Sequence, residues 1–114
     1  MRYRSTILYV PDVPAAVAFY ETAFGLERAA AEPAQEYMEL RGEGGILAFA
    51  HESMRPAPAG FEVWIEDADV AGALRRALDA GAELVREPET KPWGQTVAYV
   101  RDANGVPVEL GTPV

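Results

Sequence analysis

The stretch Thr96-Val97-Ala98-Tyr99-Val100-Arg101-Asp102-Ala103-Asn104-Gly105-Val106-Pro107-Val108-Glu109-Leu110 decides the fold. Alternating apolar residues on either side of Asp102-Ala103-Asn104-Gly105 predict a strand from Thr96 to Arg101, a tight turn, and a second strand from Val106 to Leu110. The end of this stretch has an earlier copy. Gly44-Gly45-Ile46-Leu47-Ala48-Phe49 aligns with Gly105-Val106-Pro107-Val108-Glu109-Leu110, which sets Ala48 against Glu109. Further upstream, Leu8-Tyr9-Val10-Pro11-Asp12-Val13 aligns with Val63-Trp64-Ile65-Glu66-Asp67-Ala68, each a short strand running into an acidic helix start. Apolar residues at helical spacing (Val13, Ala16, Val17, Tyr20 and Phe24, then Val70, Leu74, Ala77 and Leu78) predict helices near Val13 to Ala23 and Asp69 to Ala80. Asp12 and Asp67 are expected to cap their first turns, and Gly25 and Gly81 to end them. The chain reads as a duplicated βαβββ unit, an α+β fold whose modules span about 1–55 and 60–114 of one 114-residue domain.

Composition narrows the function. With 49% hydrophobic residues the chain is expected to be globular, and no apolar run is long enough to span a membrane. The opening Met1-Arg2-Tyr3-Arg4-Ser5 leads straight into the first strand, which argues against a signal peptide and makes a cytoplasmic location the expectation. The absence of cysteine excludes disulfides and thiolate chemistry. A net charge of −8 repels nucleic acid and anionic membranes while favouring cationic ligands. With one histidine and no serine placed beside a base, a nucleophilic triad is not expected.

The order and spacing of Leu8-Tyr9-Val10-Pro11-Asp12-Val13, Phe19-Tyr20, Phe24-Gly25-Leu26, Trp93-Gly94-Gln95 and Val108-Glu109-Leu110 resemble the vicinal oxygen chelate superfamily. That superfamily includes glyoxalase I, extradiol dioxygenases, fosfomycin-resistance enzymes and antibiotic-binding resistance proteins for bleomycin and mitomycin. The resemblance implies two βαβββ modules whose sheets curl into an incomplete barrel around a cleft, often completed across a dimer. It also implies four metal-ligand positions, which carry over to Ser5, Ala48, Gly60 and Glu109. Ala and Gly side chains have no lone pair to give a metal, so only Glu109 retains a ligand type and no metal or other cofactor is expected. His51 lies on the strand face opposite Ala48. It reads either as a solvated strand-end histidine or as a group reaching a cleft from a neighbouring subunit, and a substituted metal set of His51, Glu62 and Glu109 would need an unexpected register.

Without a metal, the cleft implied by the resemblance still has content. Alternation puts Ser5, Ile7 and Tyr9 on one face of the first strand, and Gly60, Glu62 and Trp64 on the matching face of its repeat. Gln95, Val97 and Tyr99 line another strand beside Glu109. Trp93, Trp64, Tyr99, Glu109, Gln95, Tyr9 and Glu62 are therefore the candidate ligand-binding residues, and no residue stands out as catalytic. Trp93 reads equally as a ligand contact, as the resemblance to drug-binding members implies, or as a pin for its loop. Glu109 reads as a ligand acceptor whose pKa burial would raise, or as a carboxylate tied to Arg or Tyr. Two functions follow: a metal-free, homodimeric binder of an aromatic or cationic compound, or a glyoxalase-type lyase or isomerase with an atypical or absent metal site.

Overall fold

The computed structural model describes residues 3–29, 36–55 and 61–113. The chain divides into two compact units, 1–58 and 59–114. The first runs β1 (Thr6–Val10), α1 (Val13–Phe24), β2 (Glu27–Arg28), β3 (Tyr37–Gly42), β4 (Gly45–His51) and a short 3-10 helix (Glu52–Met54). The second runs β5 (Val63–Glu66), α2 (Val70–Asp79), β6 (Glu83–Thr90), β7 (Thr96–Arg101) and β8 (Pro107–Gly111). Each is a βαβββ module with one four-stranded mixed sheet, in order β1-β4-β3-β2 and β5-β8-β7-β6. No helix of the described residues is long and apolar enough to cross a membrane.

In each module the helix covers one sheet face. Val13, Val17 and Tyr20 of α1 are buried with Leu8, Val10, Leu40 and Phe49, and the Tyr20 and Phe49 rings lie 5.1 Å apart. In the second module Val70, Ala73, Leu74 and Ala77 of α2 are buried with Val63, Ala98, Val100, Val108 and Leu110. These are the i, i+3, i+4, i+7 stripe of a helix and the alternate residues of strands, so both periodicities converge on one core per module. Removal of these side chains from water is the main term holding each module together.

The helix starts correct the alignment of the repeat. Asp12 caps α1 by accepting from the Ala15 N–H at 3.0 Å. For α2 the cap is Asp69, which accepts from the Gly72 N–H at 3.0 Å, and not Asp67. Asp67 instead accepts from the Asp69 N–H at 2.8 Å and from Arg76 Nη2 at 2.9 Å, bracing the helix from outside. Strand pairing gives the same shift. Ala48 pairs with Ile7 and Glu39, and Glu109 pairs with Trp64 and Tyr99, so Ala48 and Glu109 are equivalent as expected. Ile7, however, is then the counterpart of Trp64, and Ser5 that of Glu62, two residues beyond the expected partners. A slip of two keeps every side chain on its face, which is why the assignment of faces survives the correction.

Candidate functional site

The first module's face opposite α1 is internally satisfied. Glu39 accepts from Tyr37 Oη at 2.7 Å and from Arg4 Nη2 at 3.2 and 3.3 Å. The Tyr37 hydrogen bond and the Arg4 charge hold the Glu39 carboxyl below the usual carboxylate range. Ile7 and Tyr9 lie on this face, and Ala48 beside them offers no polar atom. His51 ends β4 on the opposite face, where its Nδ1 lies 2.7 Å from Ser53 Oγ and accepts from the Ser53 N–H at 3.2 Å. It caps the 3-10 turn, a local role that the sequence did not indicate.

The second module's face is built differently. One row of the sheet carries Trp64, Glu109, Tyr99 and Arg86 on four adjacent strands. Trp64 is 46% exposed, a large area for an indole on a strand. The Arg86 guanidinium stacks 5.6 Å from the centre of the Tyr99 ring, a cation–π contact that orients the ring from one side. Burial, with the nearby Glu62 and Glu109 charges, raises the Tyr99 pKa and keeps it a neutral hydroxyl. Burial likewise lifts Glu109 above the usual carboxylate range, as foreseen. A second cause was not foreseen: Glu62 adds its charge and a side-chain hydrogen bond, while Lys91 acts the other way. No Arg or Lys of the described residues pairs with Glu109 within salt-bridge distance, so the Arg tie is not made.

Next to this row lies the turn that joins β6 to β7. The Gly94 N–H donates to the Lys91 carbonyl at 2.9 Å, closing a tight turn with Pro92 and Trp93 at its centre. Gly94 has φ +95°, a conformation that needs glycine. The turn projects Trp93 outward, 67% exposed. Its indole is nevertheless held: Nε1–H donates to Gln95 Oε1 at 3.0 Å, and Gln95 Nε2 donates to the Thr112 carbonyl at 2.9 Å. Gln95 itself is 9% exposed. An exposed ring anchored by a buried amide is preorganised for stacking, since little rotamer entropy is left to lose. Trp93 is thus both the loop pin and an available ring.

The residues sequence reasoning grouped as ligand-binding therefore divide. Trp64, Glu109, Tyr99, Glu62, Trp93 and Gln95 share the second module, and Tyr9 belongs to the first. Arg86, Gly111 and Thr112 were missed. Arg86 reaches Tyr99 only because β6 is irregular, with register shifts between Leu84 and Arg86 and between Arg86 and Glu89, and no sequence pattern announces them.

The donor set does not fit a catalytic metal. Gly60 lies outside the described residues, and the corrected alignment moves its ligand position to Glu62. The second module then supplies two carboxylates, Glu62 and Glu109, and the equivalent positions of the first are Ser5 and Ala48. Catalytic sites of this kind use three protein ligands of imidazole, thiolate or carboxylate type. Among the described residues no group of three His, Cys, Asp or Glu side chains is placed to hold a metal.

Comparison with known proteins agrees with this architecture. TioX from Micromonospora sp. ML1 is 25% identical, with a TM-score of 0.83 over 100% of both chains. A lactoylglutathione lyase from Agrobacterium tumefaciens is 26% identical, with a TM-score of 0.72 over 97% of this chain and 92% of its own. A glyoxalase/bleomycin resistance protein/dioxygenase family enzyme from Burkholderia phytofirmans PsJN shares the fold at 15% identity, with a TM-score of 0.84 over 96% and 97%. No curated protein matches the chain. The profile of one family covers residues 2–110 and so runs through both modules: the chain belongs to the Glyoxalase/Bleomycin resistance protein/Dioxygenase superfamily.

Proposed function

We propose that this chain is a metal-free, cytoplasmic small-molecule binder of its superfamily, which sequesters a planar aromatic or cationic compound such as an antibiotic on the second module. The observation that carries the reading is the Trp64–Glu109–Tyr99 row beside the anchored, two-thirds-exposed Trp93. Stacked rings contribute about 0.5–1.5 kcal/mol a pair beyond apolar burial. Glu109, which has no ion-pair partner among the described residues, supplies the negative charge for a cationic group. The test is a panel of bleomycin-like, mitomycin-like and other planar compounds followed by tryptophan fluorescence. Quenching that saturates supports the reading, and an unchanged signal across the panel at high concentration removes it. Phe61, Trp64, Leu84 and Val85 are all exposed, and a second copy covering such apolar surface is expected to make the protein a homodimer by light scattering.

A second reading rests on the Glu62–Glu109 contact. A carboxyl with a raised pKa beside another carboxylate is the arrangement that separates an acid from a base, as a lyase or isomerase without metal would require. Turnover of a hemithioacetal of glutathione by protein with no stoichiometric zinc, nickel, iron or manganese, lost in Glu109→Gln, would favour the enzyme.

A further inference from the structure

The charges on the second module's sheet do not all pair with one another. On β6, Glu83 takes Arg101 at 3.5 Å, and Glu89 takes Lys91 at 3.4 Å. Arg86 lies between those two acids in the same strand, opposite Tyr99. Both acids are already engaged, and among the described residues no carboxylate pairs with the Arg86 guanidinium within salt-bridge distance. Glu62 and Glu109 are left over in the same way, with no cation of the described residues in salt-bridge distance of either. One guanidinium and a carboxyl pair thus remain on one face.

Tyr99 keeps these charges apart. It pairs with Glu109 of β8 on one side and with Arg86 of β6 on the other. Arg86 and Glu109 therefore stand two strands apart, roughly 10 Å across the sheet, too far for a direct ion pair. The Arg86 guanidinium lies 5.6 Å from the centre of the Tyr99 ring. That contact orients the guanidinium but supplies no acceptor oxygen, so its fork of N–H donors, which matches a carboxylate, is not filled by the ring.

We infer that the compound bound on this face is a planar zwitterion, whose cationic end lies at Glu109 and Glu62, whose ring spans Tyr99, and whose carboxylate takes the Arg86 fork. The inference rests on the aromatic-binding reading and adds an anionic group to the ligand. Charge complementarity carries it. A face that served only to attract a cation would gain nothing from an unpaired arginine, which repels one. The net charge of −8 already draws cations to the whole chain. Arg86 is then the group that discriminates, favouring a ligand with a carboxylate over a simple cation of the same shape.

The test compares 6-(aminomethyl)-2-naphthoate, with ammonium and carboxylate at opposite ends of a fused bicycle, with its primary amide, which keeps the ring and the ammonium. Each is titrated by calorimetry at neutral pH and low salt, and the Arg86 Nε–H resonance is followed in proton–nitrogen spectra. On net charge alone the protein prefers the amide. We expect the reverse, with the zwitterion tighter by roughly fivefold and the Arg86 resonance moved by the zwitterion only. Arg86→Gln should erase this preference, and Arg75→Gln, the same loss of charge on α2, should leave it. The preference is a ratio within one protein, so a general weakening by either substitution does not imitate its loss. Equal binding, tighter binding of the amide, or a preference that survives Arg86→Gln or vanishes in Arg75→Gln overturns the zwitterion and leaves the aromatic-cation reading standing. Failure of both probes to bind overturns that reading and the zwitterion with it.

Discussion

Gln95 Oε1 accepts the Trp93 indole N–H at 3.0 Å, so the more exposed of the two indoles is fastened to a buried polar side chain. The pairing makes a prediction about rigidity. Gln95→Leu removes the anchor and strands the Thr112 carbonyl, at a cost of about 1–3 kcal/mol if that group stays buried. In a Trp64→Phe background, where Trp93 is the sole tryptophan, its time-resolved anisotropy should also show faster ring motion. Unchanged anisotropy would mean that the turn alone fixes the ring.

The two helix starts predict an asymmetry between neighbouring aspartates. Asp69→Ala removes the cap of α2 and should cost about 1 kcal/mol in urea denaturation. Asp67→Ala removes a partly exposed pair with Arg76 and an exposed hydrogen bond from the Asp69 N–H and should cost less, about 0–1 kcal/mol, because water replaces both partners. The reverse order would mean that Asp67, and not Asp69, carries the cap energy of α2.

That alignment separates what the sequence revealed from what it did not. Hydrophobic periodicity located both helices, the Thr96–Arg101 strand and the equivalence of Ala48 with Glu109, because burial on one face imposes those patterns. The offset of the other match was two residues wrong, since Leu8-Tyr9-Val10 and Val63-Trp64-Ile65 align equally well under a period of two. That slip hid Glu62 as the counterpart of Ser5, and with it the carboxylate contact at Glu109. Arg86 depended on bulges in β6, and Gly111 on two side chains meeting above it, neither of which is encoded by local spacing.

The carboxylates predict opposite pH responses. Glu109 binds its proton more tightly folded than unfolded. As pH rises from the ordinary glutamate value through the raised one, the unfolded chain loses its proton first, so stability falls across that window and stays lower above it. Glu109→Gln should therefore stabilise the protein at neutral pH, with the gain vanishing below the ordinary glutamate value. Glu39 is shifted down. Its contribution is present above the ordinary value and lost as pH falls through the lowered one, so Glu39→Gln should destabilise at neutral pH and converge with the parent in acid. Thermal denaturation of the parent and the two variants as a function of pH, from acid to neutral, checks the two signs.

The central claim is that the second module's face binds a flat cation by stacking on Trp93 and pairing with Glu109. Isothermal titration of 9-aminoacridine, a planar cation, into the parent, Trp93→Ala and Glu109→Gln proteins tests it most directly. The account predicts saturable binding to the parent, weakened by about 1–3 kcal/mol in Trp93→Ala if the ring is an anchor. Glu109→Gln should weaken it as well, with the loss shrinking as salt screens the charge. No heat of binding to the parent, or equal affinity for all three proteins, would contradict it.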